Sequence, residues 1–483
     1  MTYYIDHFGC AKNQVDSENM MSFLNMAGWS MAESAEKADL IIVNSCGFIE
    51  SAKQESINAV LGWRELYPDK KILLAGCLAE RYAKELREAL PEADGLFGVG
   101  NISGIAQAAI NVMQVSLHAA NAADQEESKA PAPKTSGDQK IGKVKNKGPV
   151  SGGSRPLLSL PGSAYVKISE GCNNRCSFCA IPLIRGELRS RPASAILKEC
   201  KELLGRGIRE LCLVGQDSGS YGNDFSPITA TDTPQASGLS FLLEELSRLK
   251  GNFWIRLLYI HPDHFPLPIL DIMERDKRFL PYFDIPFQHG SGKILRSMNR
   301  RQSTESNLKL IRTIRKKLPD SVIRSTFMTG FPGESEEDFE LLIDFQKKAS
   351  LDWLGCFVYS REENTPAWDL RDRINKKTAV KRKKLIEEQQ IPITEKQMDR
   401  FIGRHLEVLV EEKFQPLNRD ENETPADDLD SGKSSLYLGR LPCHAPEVDG
   451  AAVIFSSRPL RLGEMAPCRV IARAGFDLKV QVV

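Results

Sequence analysis

The chain has 483 residues, 64 Lys+Arg against 64 Asp+Glu, and 41% hydrophobic side chains, a globular balance too long for one ordinary domain. Charge neutrality excludes a global basic field for gripping nucleic acid, so any such contact is local. No apolar run approaches the roughly 18 residues of a membrane span, and Met1–Phe8 lacks the regions of a secretory signal.

A cytoplasmic protein making no membrane contact is therefore expected. There, eleven cysteines serve as buried thiols, nucleophiles or metal ligands rather than as a disulfide framework. Cys200, Cys212 and Cys356 lie in apolar, regular-looking runs and read as structural thiols.

Residues 1–117 alternate strand and helix patterns: a strand over Tyr3–Phe8, a helix over Gln14–Trp29, a strand over Leu40–Val43, a helix over Ser51–Leu66, and a strand over Ile72–Ala75. This order predicts a parallel βαβ sheet. Residues 118–157 read as a disordered linker or insertion, because the stretch holds few large aliphatics beyond Ile141, Val144 and Val150. Over 158–398, strand-like runs recur at Ala164–Ile168, Glu210–Val214, Trp254–Tyr259, Phe283–Phe287, Ile323–Met328 and Trp353–Tyr359. Six βα units predict an open (β/α)6 partial barrel with its chemistry at the C-terminal strand ends. A polar helix with the basic run Lys381–Lys384 follows and is expected to break at Pro392. Residues 399–483 read as a small all-β module, with strands at His405–Val410, Ala452–Phe455, Arg469–Ala472 and Leu478–Val483.

Two cysteine sets carry the chemistry. Cys172, Cys176 and Cys179 form a Cys-x3-Cys-x2-Cys loop directly after a strand. Three thiolates this close suit one face of an iron–sulfur cubane and leave one iron open for a ligand. A structural zinc site normally needs four ligands, and no other Cys or His lies within ten residues on either side. Cys10, Cys46 and Cys77 are far apart in the chain, yet each follows a predicted strand end. In a parallel sheet those ends line one edge, so the three thiols are expected to converge. Three independent buried cysteines are the alternative.

With these two sets and its C-terminal module, the chain resembles the radical-SAM methylthiotransferases over nearly its whole length. The resemblance implies two [4Fe–4S] clusters. One, on Cys172, Cys176 and Cys179, cleaves S-adenosylmethionine (SAM) to a radical. An auxiliary one, on Cys10, Cys46 and Cys77, supplies or relays sulfur. It also implies that the C-terminal module is similar to the TRAM domain. Gly215-Gln216-Asp217 with Tyr221-Gly222, Asp284–His289, and Gly439-Arg440 with Ala445–Gly450 resemble the branch that modifies ribosomal protein S12 (uS12). That branch inserts a methylthio group at an aspartate β-carbon, with SAM as both methyl donor and radical source. The other branches act on tRNA adenosine, which is the alternative substrate. An accessory or reductant protein is a further implied partner. Residues 401–483 hold 10 Lys+Arg against 13 Asp+Glu, which suits a basic ribosomal protein better than a phosphate backbone.

Weaker candidates for SAM contacts are Phe178, Gly215, Gln216, Gly330 and Gly333. Each has a plain reading beside it: loop packing for Phe178, and strand-to-helix turn residues for the glycines of Thr329–Glu334. Asp217 is a SAM or substrate contact or a helix cap. His261 and His289 are cavity contacts or structural histidines. No catalytic residue is assigned beyond the cluster ligands.

Overall fold

The computed structural model describes residues 1–123, 153–225, 238–414 and 435–483. The first body is a five-stranded parallel sheet in the order β2-β1-β3-β4-β5. Its strands are β1 (Thr2–His7), β2 (Ser30–Met31), β3 (Leu40–Ser45), β4 (Lys71–Gly76) and β5 (Gly95–Phe97). The central strand β3 is wholly buried because helices cover both faces. Leu40 and Ile42 point to the core shared with helices Ala11–Met26 and Ile105–Ala123. Ile41 and Val43 point to the core of helix Glu50–Leu66.

The second body carries β6 (Ser163–Lys167), the short pair β7 (Ser169–Glu170) and β8 (Arg189–Ser190), then β9 (Glu210–Val214), β10 (Trp254–Leu257), β11 (Phe279–Asp284), β12 (Val322–Thr329) and β13 (Trp353–Val358). β6 and β9–β13 form one parallel sheet in chain order, open between β6 and β13. This is the six-stranded partial barrel. The strand expected over Phe283–Phe287 lies upstream, at Phe279–Asp284, because Ile285–His289 leave the ladder as the strand-end loop.

Helix Lys376–Asp399 runs through Pro392 without a break, contrary to the interruption expected there. Proline removes one internal bond, but flanking side chains tie the helix down on both sides. Gln390 donates to the Leu351 carbonyl (2.9 Å) and Thr394 to that of Asp352 (2.9 Å).

The third body is a closed barrel of β14 (His405–Lys413), β15 (Ser435–Arg440), β16 (Ala452–Ser456), β17 (Met465–Ala474) and β18 (Asp477–Val482). The strand β15 has no counterpart among the sequence-predicted elements. The barrel seats its β15–β16 loop against the open sheet. Arg440 reaches Glu210 of β9 (2.5 Å) and Glu411 of β14 (2.8 Å), Arg256 holds Glu210 from β10 (2.8 Å), and Tyr282 donates to Asp449 (2.6 Å). Trp353 Nε1 donates to the Cys443 carbonyl (2.9 Å).

Most of the expected linker 118–157 lies outside the described residues, as do Lys140–Lys147 and the acidic stretch Asp420–Asp430. Its two described ends depart from a linker. Residues 118–123 continue the helix Ile105–Ala123, and Arg155 is buried between Glu18 (2.8 Å) and Glu199. Among the described residues, no helix is long and apolar enough to cross a membrane.

Candidate functional site

The parallel sheet of the first body brings the ends of β1, β3 and β4 to one edge, and the loops that follow touch. A Cβ added at Gly9 would lie 3.2 Å from Cys46 Sγ, and one at Gly47 would lie 2.7 Å from the Cys77 carbonyl oxygen. Glycine next to Cys10 and next to Cys46 is what lets these loops approach. Asn13 stitches them together: its Nδ2 donates to the carbonyls of Phe8 (2.6 Å), Asn44 (3.3 Å) and Ser45 (3.2 Å), and its Oδ1 lies 3.9 Å from Cys77 Sγ. Cys10, Cys46 and Cys77 therefore lie in one cluster of loops, ranging from exposed through half-buried to buried.

The second set follows β6. The Cys172 N–H bonds to the Gly186 carbonyl (3.1 Å) and the Cys179 N–H to that of Cys176 (3.1 Å), which curls the loop on itself. Ser177 ties it to Met298 and Ser297, and Asn174 donates to Asp217 (2.8 Å). Phe178 is buried with Ile294, Met298 and Phe331, so its ring packs the loop.

Asp217 acts as a hub. It caps the short turn Ser218–Ser220 through the Gly219 N–H and accepts from Ser220 Oγ (2.6 Å) and the His261 N–H (3.0 Å), with His264 Nδ1 at 2.9 Å. Burial alone would raise its pKa, yet these donors hold it down at about 2. Burial instead keeps His261 neutral, with its pKa lowered to about 3. Its Nδ1 accepts from the Asp263 N–H (3.2 Å), leaving the proton on Nε2, 3.7 Å from Cys176 Sγ.

Gln216 donates to Glu170 (3.0 Å), while its Oε1 and the nearby Ser169 Oγ are buried without a partner. A Cβ at Gly215 would lie 2.6 Å from Ser169 Oγ. In the Thr329–Glu334 turn, Glu334 accepts from the Gly330 and Phe331 N–H groups and is itself held by Arg382 (2.7 Å). Gly330 faces Ala379 and has φ +76°, and Gly333 has φ +82°; both are turn positions. His289 is buried, with Nδ1 accepting from the Ser291 N–H (2.9 Å) and Nε2 3.6 Å from Glu334.

A buried ionic network joins the two cysteine sets. Arg185, on the helix Ile181–Arg185 that leaves the Cys172–Cys179 loop, reaches back to Cys77 Sγ (3.1 Å). It also contacts Glu170 (2.8 Å) and Asp16 (2.9 Å), and Lys167 pairs with the same two carboxylates. These cations hold Glu170 well below the usual carboxylate range despite its burial. Neither Arg185 nor Asn13 is evident from motif spacing. The available signal is the run Lys12–Asn19, polar at almost every position yet buried inside a helix, which marks an interface rather than a solvated face.

The thiols fit soft-metal ligation. Burial pushes Cys77 and Cys179 up to about 12 and Cys172 up to about 11, so an isolated thiolate is disfavoured at each. Iron would supply the missing positive charge. Among the described residues, no three of His, Cys, Asp and Glu are arranged around a single metal ion. A cubane places each thiolate on its own iron, so it needs wider spacing than a mononuclear site.

Residues 2–98 match the model of Uncharacterized protein family UPF0004, 166–345 that of the Radical SAM superfamily and 402–483 that of the TRAM domain. The chain is 46% identical to ribosomal protein uS12 methylthiotransferase RimO of Treponema denticola, over 99% of this chain and 100% of that protein. It is 37% identical to the protein of that name from Syntrophomonas wolfei, over 97% of each. Among solved structures, the radical SAM methyltransferase TsrM from Kitasatospora setae, with tryptophan and a SAM analogue bound, shares the fold. Its TM-score is 0.50 at 14% identity, covering 76% of this chain and 74% of that one. On full-length identity and all three domain matches, the chain belongs to the uS12 methylthiotransferase RimO family of radical SAM proteins.

Proposed function

We propose that the protein is a radical-SAM methylthiotransferase acting in the cytoplasm on an aspartate of ribosomal protein uS12. The observation that carries this reading is the meeting of two three-cysteine sets across one buried interface, joined by Arg185 at 3.1 Å from Cys77. One set alone accounts for SAM cleavage; a second beside it is what sulfur insertion requires.

Cys172, Cys176 and Cys179 would hold the SAM-cleaving [4Fe–4S] cluster, and Cys10, Cys46 and Cys77 the auxiliary one. When bound, the clusters and SAM supply the electron, the radical, the sulfur and the methyl group. This chain's residues do the positioning. Asn174 and Asp217 fix the first loop, and His261 shares its Nε2 proton with Cys176. Gln216 Oε1 and Ser169 Oγ, buried and unpartnered, offer polar contacts for SAM beside Gly215 and the Phe178 backbone. The barrel loop Ala445–Asp449, pinned through Asp449 to Tyr282, closes the sheet from the other side and helps exclude water. An accessory protein delivers the reducing electrons.

Mass spectrometry of uS12 and of tRNA nucleosides from a deletion strain tests the substrate. Loss of the uS12 aspartate modification with tRNA unchanged is expected. Loss of a tRNA methylthio group with uS12 intact would refute the assignment.

A further inference from the structure

Lys12 lies two residues past Cys10, in the first turn of the helix Ala11–Met26, and is only 9% exposed. Its ammonium lies 3.3 Å from the centroid of the Tyr259 ring, and no carboxylate stands within 4.0 Å of it among the described residues. A ring face returns only part of the hydration that a buried ammonium loses. The neighbouring cations are already engaged. Arg185 and Lys167 share Asp16 and Glu170, and Arg324 lies between Asp284 and Asp449. Arg300 donates to the Pro286 carbonyl and faces the Phe178 ring, on the side of the other cysteine set.

The location is specific. Tyr259 follows β10 and Asp284 ends β11, so Lys12 projects from the first body to the C-terminal strand ends of the second. It is also the first cation acting on the Cys10 thiol.

Asp284, already facing Arg324, is an anion that Lys12 acts on from beyond contact distance, as it does on Cys10. We propose that Lys12 is the binding residue for the side-chain carboxylate of the substrate aspartate, which supplies the contact ion pair that this buried ammonium lacks. This deepens the methylthiotransferase reading and rests on it. A carboxylate held there places the adjacent β-carbon beside the Cys10, Cys46 and Cys77 loops, and Tyr259 forms the apolar wall under the contact. An acid is then distinguished from an isosteric amide by charge alone, because the amide presents no anion to the ammonium.

The test compares binding of uS12, with its target aspartate intact or replaced by asparagine, to the reconstituted full chain with SAM, read by fluorescence anisotropy. The wild type is expected to prefer the aspartate form by about tenfold or more. Lys12→Met should bind the two forms equally, and Lys12→Arg should keep most of the preference. Should Lys12→Met fail to retain its iron, Lys12→Gln is measured in its place. Retention of the wild-type preference in the neutral variant, or a wild type without preference, would overturn the proposal. Modification of uS12 by the wild type is scored in parallel by mass spectrometry. Its absence would refute the substrate reading itself, independently of how Lys12 behaves.

Discussion

Arg440 offers a sharp test of how the C-terminal barrel is held. Its guanidinium is buried and reaches Glu210 of the open sheet at 2.5 Å and Glu411 of its own barrel at 2.8 Å. Arg440→Met keeps the length of the side chain and removes the charge. Breaking a buried pair from one side costs about 3–5 kcal/mol. Here Arg256 still holds Glu210 at 2.8 Å, so only Glu411 loses its partner, and the lower end, about 3 kcal/mol, applies. That corresponds to roughly a hundredfold loss of protection, read as faster amide exchange in His405–Lys413 and Ser435–Arg440. Burial already raises the Glu411 pKa, and removing Arg440 raises it further. A carboxyl with a raised folded pKa stabilises the fold below its unfolded pKa, near 4, and that stability is lost as pH rises through the folded value. The defect should therefore shrink in mild acid, and Arg440→Met/Glu411→Gln should recover part of it at neutral pH. Unchanged exchange in the single variant, or a defect independent of pH, would refute this reasoning.

Replacing Cys172, Cys176 or Cys179 by Ala should abolish 5′-deoxyadenosine formation, whereas replacing Cys10, Cys46 or Cys77 should spare some of it and stop sulfur insertion. Anaerobic iron analysis should find about eight irons per wild-type chain and about four in either set of variants. Arg185→Met removes the donor 3.1 Å from Cys77 and leaves Lys167 as the remaining cation for Asp16 and Glu170. It should lose iron from the auxiliary site on dilution faster than the wild type, measured by absorbance decay, and Arg185→Lys should restore part of the retention. Asp217, with a folded pKa depressed to about 2, contributes stability that is present above its unfolded pKa near 4 and lost as pH falls toward 2. Asp217→Asn should flatten that acid limb in thermal melts by about 2 kcal/mol.

Local pattern carried much of this molecule. The spacing of Cys172, Cys176 and Cys179 is a statement about one loop, so it needs no partner from elsewhere. Cys10, Cys46 and Cys77 were legible because strand periodicity sets where each strand ends, and a parallel sheet aligns those ends. The six βα units of the open sheet were legible for the same reason. The pairing partners were not. Arg185 and Cys77 are distant in the chain, as are Arg155 and Glu18, and their contacts exist only because helix Ala11–Met26 packs against β6. No local preference encodes a contact whose stabilisation comes from shared burial.

Tertiary packing also overruled local rules. Pro392 reads as a helix stop, but the Gln390 and Thr394 bonds hold the helix on the sheet and it continues. Asp217 allowed two readings from sequence; five donors from three loops made it a structural hub. The sequence by itself determined that the two cysteine sets stand at strand ends, because that placement follows from periodicity and spacing. The tertiary structure decided which charges neutralise one another, and so left Lys12 buried with no carboxylate within 4.0 Å among the described residues, because pairing across bodies depends on distances that no stretch of chain specifies alone.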